Sequence, residues 1–309
     1  MKGVVIKSTG SWYAVKTEAG NLIECRLKGR FKIDGIKNTN PLAVGDIVTI
    51  DVSEGDTTID SWEERKNHIA RESPKHEHAR HIIAANLDQA VLVATIHQPR
   101  TSTGFIDRFL LTAEAFHIPA FIVFNKVDAY EKKEFLKLKE YLTIYKMAGY
   151  ETLVTSTVTK ENLEVLKEKL QNKTTLISGH SGVGKSTLVN SISPNLNLRI
   201  GDISKKHEKG MHTTTYAEMH ELNFGGNIID TPGIKEFGIT DLLPEEIGQY
   251  YKEFQPLVSQ CRFNNCLHYD EPDCAVIDAV EQGIIHPERF KNYINILEDA
   301  KKKPRHLIR

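Results

Sequence analysis

The sequence predicts an α/β protein flanked by two smaller domains, an all-β barrel before it and a helical domain after it. Up to about Trp62, short β-prone runs ("GVVI", "WYAVK", "LIECRL", "DIVTIDV") are separated by Gly10, Gly20, Gly29, Gly35 and Gly45. That spacing suits a small barrel or sandwich, and an oligonucleotide-binding (OB) barrel fits the length. From about Ile82 to Thr240, the apolar runs "QAVLVATI", "AFIVFNK", "ETLVTS", "TTLISG" and "GNIIDT" replace them, with helical patterns such as "IDRFLLTAEAF" and "KKEFLKLKEYLTIYKM" between several of them. Alternating strand and helix implies a largely parallel sheet covered on both faces. After Leu243 the chain reads as helical, with one dense Cys/His cluster inside it. The charged, His-rich stretch at 63–81 reads as a connection. The expected boundaries are a barrel at 1–66, a linker at 67–81, the α/β domain at 82–242 and the helical domain at 243–309.

Composition adds bounds. The chain has 309 residues, 40% apolar and 26% charged, as in ordinary water-soluble domains. Its first residues lack the apolar core of a signal peptide, and its longest plainly apolar run, Ala90–Ile96, is far below the ~20 residues that span a bilayer. A cytoplasmic protein without a membrane partner is expected. Net charge is −1, yet residues 1–40 hold eight Lys/Arg against three Asp/Glu. Arg26, Lys28, Arg30 and Lys32 form a basic stripe that can meet a nucleic-acid backbone; charge alone leaves a solvated strand face equally open.

The chemistry begins at "GHSGVGKST", Gly179, His180, Ser181, Gly182, Val183, Gly184, Lys185, Ser186 and Thr187. It is a Walker A loop between a strand ("TTLIS") and a helix ("STLVNSI"). Its glycines let backbone N–H groups turn toward phosphates, Lys185 reaches the β/γ oxygens and the Ser186 hydroxyl ligates Mg²⁺. "DTPG" follows the strand "NIID": Asp230 supplies the Walker B carboxylate for the Mg²⁺ shell, and Gly233 lets its N–H approach a γ-phosphate. "HTTT", His212–Thr215, stands where a switch loop offers a Thr hydroxyl to Mg²⁺, with Thr214 the favoured ligand.

Asn125, Lys126, Val127 and Asp128 form an N-K-x-D element at the end of "AFIVF". A carboxylate can accept both the N1–H and the exocyclic amine of guanine, which adenine cannot present together, so Asp128 selects GTP over ATP. Ser156 and Thr157, after "ETLV", can close the base pocket. The base element comes about fifty residues before the phosphate loop, the reverse of the usual order. Base corner, closing loop, phosphate loop, first switch and second switch all survive in rotated order. Domain termini often lie close together, so such a permutation costs the fold little.

With "AANLDQ" (84–89), "IDRFL" (106–110), "NKVD", "GHSGVGKSTLVNSI", "HTTT" and "DTPGIKEFG" in place, the chain resembles the ribosome small-subunit-dependent GTPase A (RsgA) family over nearly its whole length. The resemblance implies an OB barrel, a circularly permuted GTPase domain and a zinc-binding helical domain. It further implies GTP hydrolysis to GDP, stimulated by the small ribosomal subunit late in that subunit's maturation. The partners would be 16S rRNA and neighbouring ribosomal proteins, met by a monomer. There are two departures. "GMHTTT" lacks the basic residue usual before the His, and Thr157 stands where Ala is common. A nucleotide-gated rRNA-binding module with negligible hydrolysis is the rival reading. A permuted GTPase serving the large subunit is a third, against which the barrel and the Cys/His cluster argue.

"CRFNNCLHYDEPDC" supplies Cys261, Cys266, His268 and Cys274. Three thiolates and an imidazole complete a tetrahedral shell for one structural Zn²⁺. The C-x4-C-x-H-x5-C spacing is not that of common double C-x-x-C sites, and free thiols or a redox pair stay open on spacing alone; the family resemblance favours zinc. Cys25 stands alone in a strand and is expected to pack.

Ras-like GTPases often orient the attacking water with a Gln just after the second-switch glycine. Here that position is Ile234, which has no polar atom to offer. Slow intrinsic turnover is expected, with His212 the local candidate to accept a hydrogen bond from water as a neutral imidazole; packing or solvation in the first switch is its alternative.

Overall fold

The computed structural model describes residues 1–9, 12–28, 41–53, 56–72, 80–198, 217–230 and 242–302. The chain divides into two compact units. The first comprises Met1–Ala90, Glu164–Ser178 and Lys185–Lys235; the second comprises Val91–Leu163, Gly179–Gly184 and Glu236–Arg309.

In the first unit, β1 (Lys2–Ser8), β2 (Tyr13–Thr17), β3 (Leu22–Leu27), β4 (Ile47–Ser53) and β5 (Asp56–Trp62) close into a five-stranded barrel. β1 pairs antiparallel with both β2 and β4, β2 with β3, and β4 with β5, while β3 and β5 run parallel. Strict alternation in β2 turns Tyr13 and Val15 inward, where they join Val5, Cys25, Leu42, Val48, Ile50 and Ile59. Cys25 is fully buried, and burial raises its thiol to about 11, so it packs as a small apolar residue.

Residues 68–72, inside the stretch read as a connection, form β6 (His68–Glu72), which pairs with β7 (Arg80–Ala85). The same unit holds β11 (Thr174–Ser178), parallel to β13 (Asn227–Asp230), and β12 (Glu218–Glu221), antiparallel to β13. It also contains α4 (Lys185–Ile192) and all but the first residue of α3 (Leu163–Leu170). "AANLDQ" is a fastening: Asn86 Nδ2 donates to Gly45 O (2.9 Å), Asp88 Oδ2 accepts from Thr174 N (2.9 Å), and Gln89 Nε2 donates to Lys169 O and Thr175 Oγ1.

The second unit contains most of β8 (Gln89–Ala94), β9 (Ala120–Phe124), β10 (Glu151–Val154), α1 (Thr103–Ala115) and α2 (Lys132–Met147). β9 lies between β8 and β10 and is parallel to β10. Every residue of β8 is buried, which explains an apolar run without alternation. The C-terminal part folds as the helices Ala275–Glu281 and Pro287–Lys301 with two short turns, Pro244–Ile247 and Gln255–Val258. Tyr251, Phe254, Val276, Tyr293, Ile296 and Leu297 centre its core.

Candidate functional site

The base corner begins where buried β9 ends. Lys126 takes a left-handed conformation (φ 64°) and starts a 3₁₀ turn, Val127–Ala129, in which Asp128 is exposed. Asn125 is 1% exposed, and both ends of its amide are engaged. Nδ2 donates to Val183 O at 3.0 Å, and Oδ1 accepts from Thr155 Oγ1 at 3.1 Å. Lys126 Nζ donates to Gly182 O (2.6 Å) and Gln98 O (3.1 Å). Asn125 and Lys126 thus bind the carbonyls of the phosphate loop itself. Below them, the buried Tyr130 hydroxyl donates to Asn125 O and accepts from Ile96 N, and burial raises its phenol to about 12.

Asp128 is exposed, and its Oδ1 accepts from the Ser156 hydroxyl. Ser156 is buried and its Oγ accepts from Val158 N and Thr159 N, both at 3.1 Å. This fixes the orientation of a carboxylate that remains open toward solvent. Thr157 is half-buried beside it. Val127 is buried, so its side chain belongs to the core.

The phosphate loop needs its glycines. Gly179 (φ +144°) lies so close to β8 that a Cβ there would sit 2.2 Å from Val93 O; at Gly184 (φ +94°) it would sit 2.7 Å from Asn125 Nδ2. Val183 is buried, whereas Ser181 and Gly182 are exposed. The His180 ring stacks on Phe105 at 3.9 Å between centroids. Beyond Gly184 the chain enters α4 in the first unit. There Lys185 is buried; burial lowers its pKa, against the attraction of the Asp230 carboxylate at the end of β13. Ser186 and Thr187 are half-buried. His212, Thr214 and Gly233 lie outside the described residues, as do Arg30 and Lys32. In the barrel, Arg26 is exposed, while Lys28 pairs with Asp60 (2.9 Å) and Asp51 (3.5 Å).

Cys261, Cys266, His268 and Cys274 converge, their ligand atoms all within 4.8 Å of one another. Cys261 Sγ lies 3.9 Å from Cys274 Sγ and 3.6 Å from His268 Nδ1; Nδ1 lies 3.4 Å from Cys274 Sγ. These separations fit the edges of a tetrahedron with metal–ligand bonds of roughly 2.0–2.3 Å. His268 takes φ 53°, which turns its ring into the cluster. Phe254 packs edge-on against that ring, and the Tyr293 hydroxyl donates to Leu267 O. Burial would raise Glu271, but N–H groups of Leu267 and Tyr269 hold its carboxylate below the usual range. The cluster can hold one metal ion.

Profiles of known families match both halves of this description: the RsgA N-terminal domain over residues 2–59 and the RsgA GTPase over residues 62–240. The chain belongs to the RsgA GTPase family. The small ribosomal subunit biogenesis GTPase RsgA of Christiangramia forsetii is 50% identical over 302 residues, 96% of either chain. That of Bacteroides fragilis is 50% identical over 300 residues, 97% of either chain. Among solved structures, YjeQ from Thermotoga maritima superposes with a TM-score of 0.81 at 34% identity, over 98% of this chain and 99% of that one. YloQ, described as a circularly permuted GTPase, gives 0.75 at 32%, over 98% and 96%. The expected fold class is borne out: α/β, permuted, with a five-stranded barrel at the N-terminus and a metal-ligand cluster near the C-terminus. As an RsgA GTPase the chain is a GTP hydrolase. Sequence reasoning missed Thr155, Tyr130 and the Gln98 carbonyl, which act only through tertiary proximity. It also missed Trp12, whose exposed indole carries Arg26.

Proposed function

We propose that this chain hydrolyses GTP to GDP on the small ribosomal subunit, as a checkpoint in its late maturation, and binds 16S rRNA and adjacent ribosomal proteins as a monomer in the cytoplasm. The observation that carries the nucleotide assignment is the tie from Asn125 and Lys126 to the carbonyls of Val183 and Gly182. It couples a guanine-selecting carboxylate to a phosphate loop that follows it in the chain. The names of relatives half identical over nearly full length support the subunit assignment.

Asn125–Asp128, Ser156 and Thr157 would receive the base; Gly179–Thr187, Asp230 and Gly233 would receive the phosphates. With GTP bound, Mg²⁺ would be held by Ser186 and Thr214 and would neutralise charge on the β/γ oxygens. The donor set and spacing at Cys261, Cys266, His268 and Cys274 fit Zn²⁺, which would organise the 243–309 domain. The barrel (1–66) would meet rRNA through Arg26, Arg30 and Lys32, with Lys28 already paired to carboxylates.

Turnover measured with and without purified small subunits tests the proposal. Slow basal hydrolysis that rises at least tenfold with subunits is expected, because Ile234 leaves the attacking water without a local amide. His212→Ala should lose most of that stimulation while still binding GTP and the subunit. Unstimulated turnover would favour a nucleotide-gated binding module instead.

A further inference from the structure

The outward face of β2 and β3 carries an aromatic–cation pair that nucleotide chemistry does not use. The antiparallel register sets Tyr13 opposite Cys25 and Ala14 opposite Glu24, so Trp12 stands opposite Arg26 at the next position. Tyr13 and Cys25 are in the core, so by alternation Trp12 and Arg26 face outward. The Arg26 guanidinium lies 3.8 Å from the Trp12 ring centroid, and Trp12 is 42% exposed.

Charge pairing sets Arg26 apart. Among the described residues of β1–β3 and the residue after them, Lys2, Lys7, Lys16 and Lys28 each pair with a carboxylate, respectively Glu63, Glu218, Glu221 and Asp60. Arg26 stacks on indole instead and has no carboxylate partner among the described residues. Its neighbours on the same face, Ala14, Lys16, Leu22 and Glu24, form no contiguous apolar patch for a protein partner.

We propose that Trp12 and Arg26 form a stacking platform for an unpaired base of single-stranded ribosomal RNA. Indole and guanidinium planes both accept a base face, and the guanidinium also meets the adjoining phosphate. The mouth of the β1–β2 connection and the β2–β3 face are where OB barrels bind oligonucleotides. The proposal rests on the reading of the barrel as an rRNA-binding domain and names the chemistry of that contact.

Trp12 and Trp62 are the two tryptophans, so full-length Trp62→Phe protein reports Trp12 fluorescence alone. It is titrated with an eight-nucleotide oligoadenylate and with a fully paired RNA hairpin, while binding of the full chain to purified small subunits is measured in parallel. The platform predicts quenching by the octamer but not the hairpin. With the octamer carrying a fluorescein label and binding read from its anisotropy, Trp12→Ala should raise the octamer Kd about tenfold, Trp12→Phe should retain most affinity, and Arg26→Lys should weaken binding despite its charge. Absence of quenching, equal quenching by the hairpin, or an unchanged Kd in Trp12→Ala overturns the platform. If subunit binding persists in that case, the RNA-binding reading survives; loss of both removes the two together.

Discussion

Ser156 holds the Asp128 carboxylate in one orientation. It donates to Asp128 and accepts two backbone N–H groups from the turn that follows it, so on the proposed function the carboxylate would meet guanine already oriented. Ser156→Ala removes the donor and leaves Asp128 free to rotate. GTP affinity should fall about tenfold with little change in kcat, the size expected for one hydrogen bond to a charged group. Titration with a fluorescent GTP analogue measures it, and unchanged affinity would remove Ser156 from the base site. Asp128 and Ser156 were legible in the sequence because each ends a strand run beside a recognisable motif. Thr155 and Tyr130 were not, because their roles depend on atoms of Asn125 and Ile96 that no local pattern brings near. Asp128 is exposed, so burial does not mark it out; what does is its chemistry and its place after β9.

At the scale of elements, α1 and the helix Pro287–Lys301 are fastened by a buried charge network. Arg289, 2% exposed, donates Nη1 to Asp107 Oδ1 (2.6 Å) and Nε to Glu253 Oε1 (2.6 Å), and Asn292 Nδ2 donates to Asp107 Oδ2 (2.6 Å). Its guanidinium also lies 4.5 Å from the Tyr251 ring centroid. Burial pushes the Asp107 carboxyl up while Arg289 and Asn292 pull it back, so the ion pair depends on complete pairing. Arg289→Met would strand two buried carboxylates and should cost about 3–5 kcal/mol, read as a lower urea midpoint. Arg289→Lys should rescue little, because an ammonium cannot reproduce the bidentate fork toward Glu253. "IDRFL" was visible as a family signature; that its aspartate is a buried anchor for a residue far along the chain was not.

The Cys/His cluster is the second device at this scale; its four converging residues stood together in the sequence, and the family resemblance, not spacing alone, pointed to a metal site. Replacing both Cys266 and Cys274 by Ser should abolish zinc in elemental analysis of freshly purified protein and destabilise the C-terminal helices. Nucleotide affinity should be mostly retained. Zinc retained at one equivalent in that double variant would place the ion elsewhere.

At the scale of the whole molecule, the N-terminal barrel and the permuted order were both readable. The period of the strands changes after the barrel, and the base corner precedes the phosphate loop in plain sequence. The strand β6 was not readable, because its five residues lie in a charged, His-rich stretch and gain their order by pairing with β7. What the permutation changes is chain order: "DTPG" now precedes the C-terminal helices, and the barrel precedes the strands that end at Asn125–Asp128. If the upstream corner and the downstream loop form one guanine-specific, subunit-stimulated hydrolase, exchanging the base-facing carboxylate should exchange the substrate. The direct measurement is hydrolysis of GTP and of xanthosine triphosphate by wild type and by Asp128→Asn, each with purified small subunits. An amide donates where the carboxylate accepted, so the variant should prefer xanthosine triphosphate, lose most GTP turnover, and still be stimulated by subunits on its new substrate. A variant that keeps the wild-type preference for GTP would contradict a base-selecting role for Asp128.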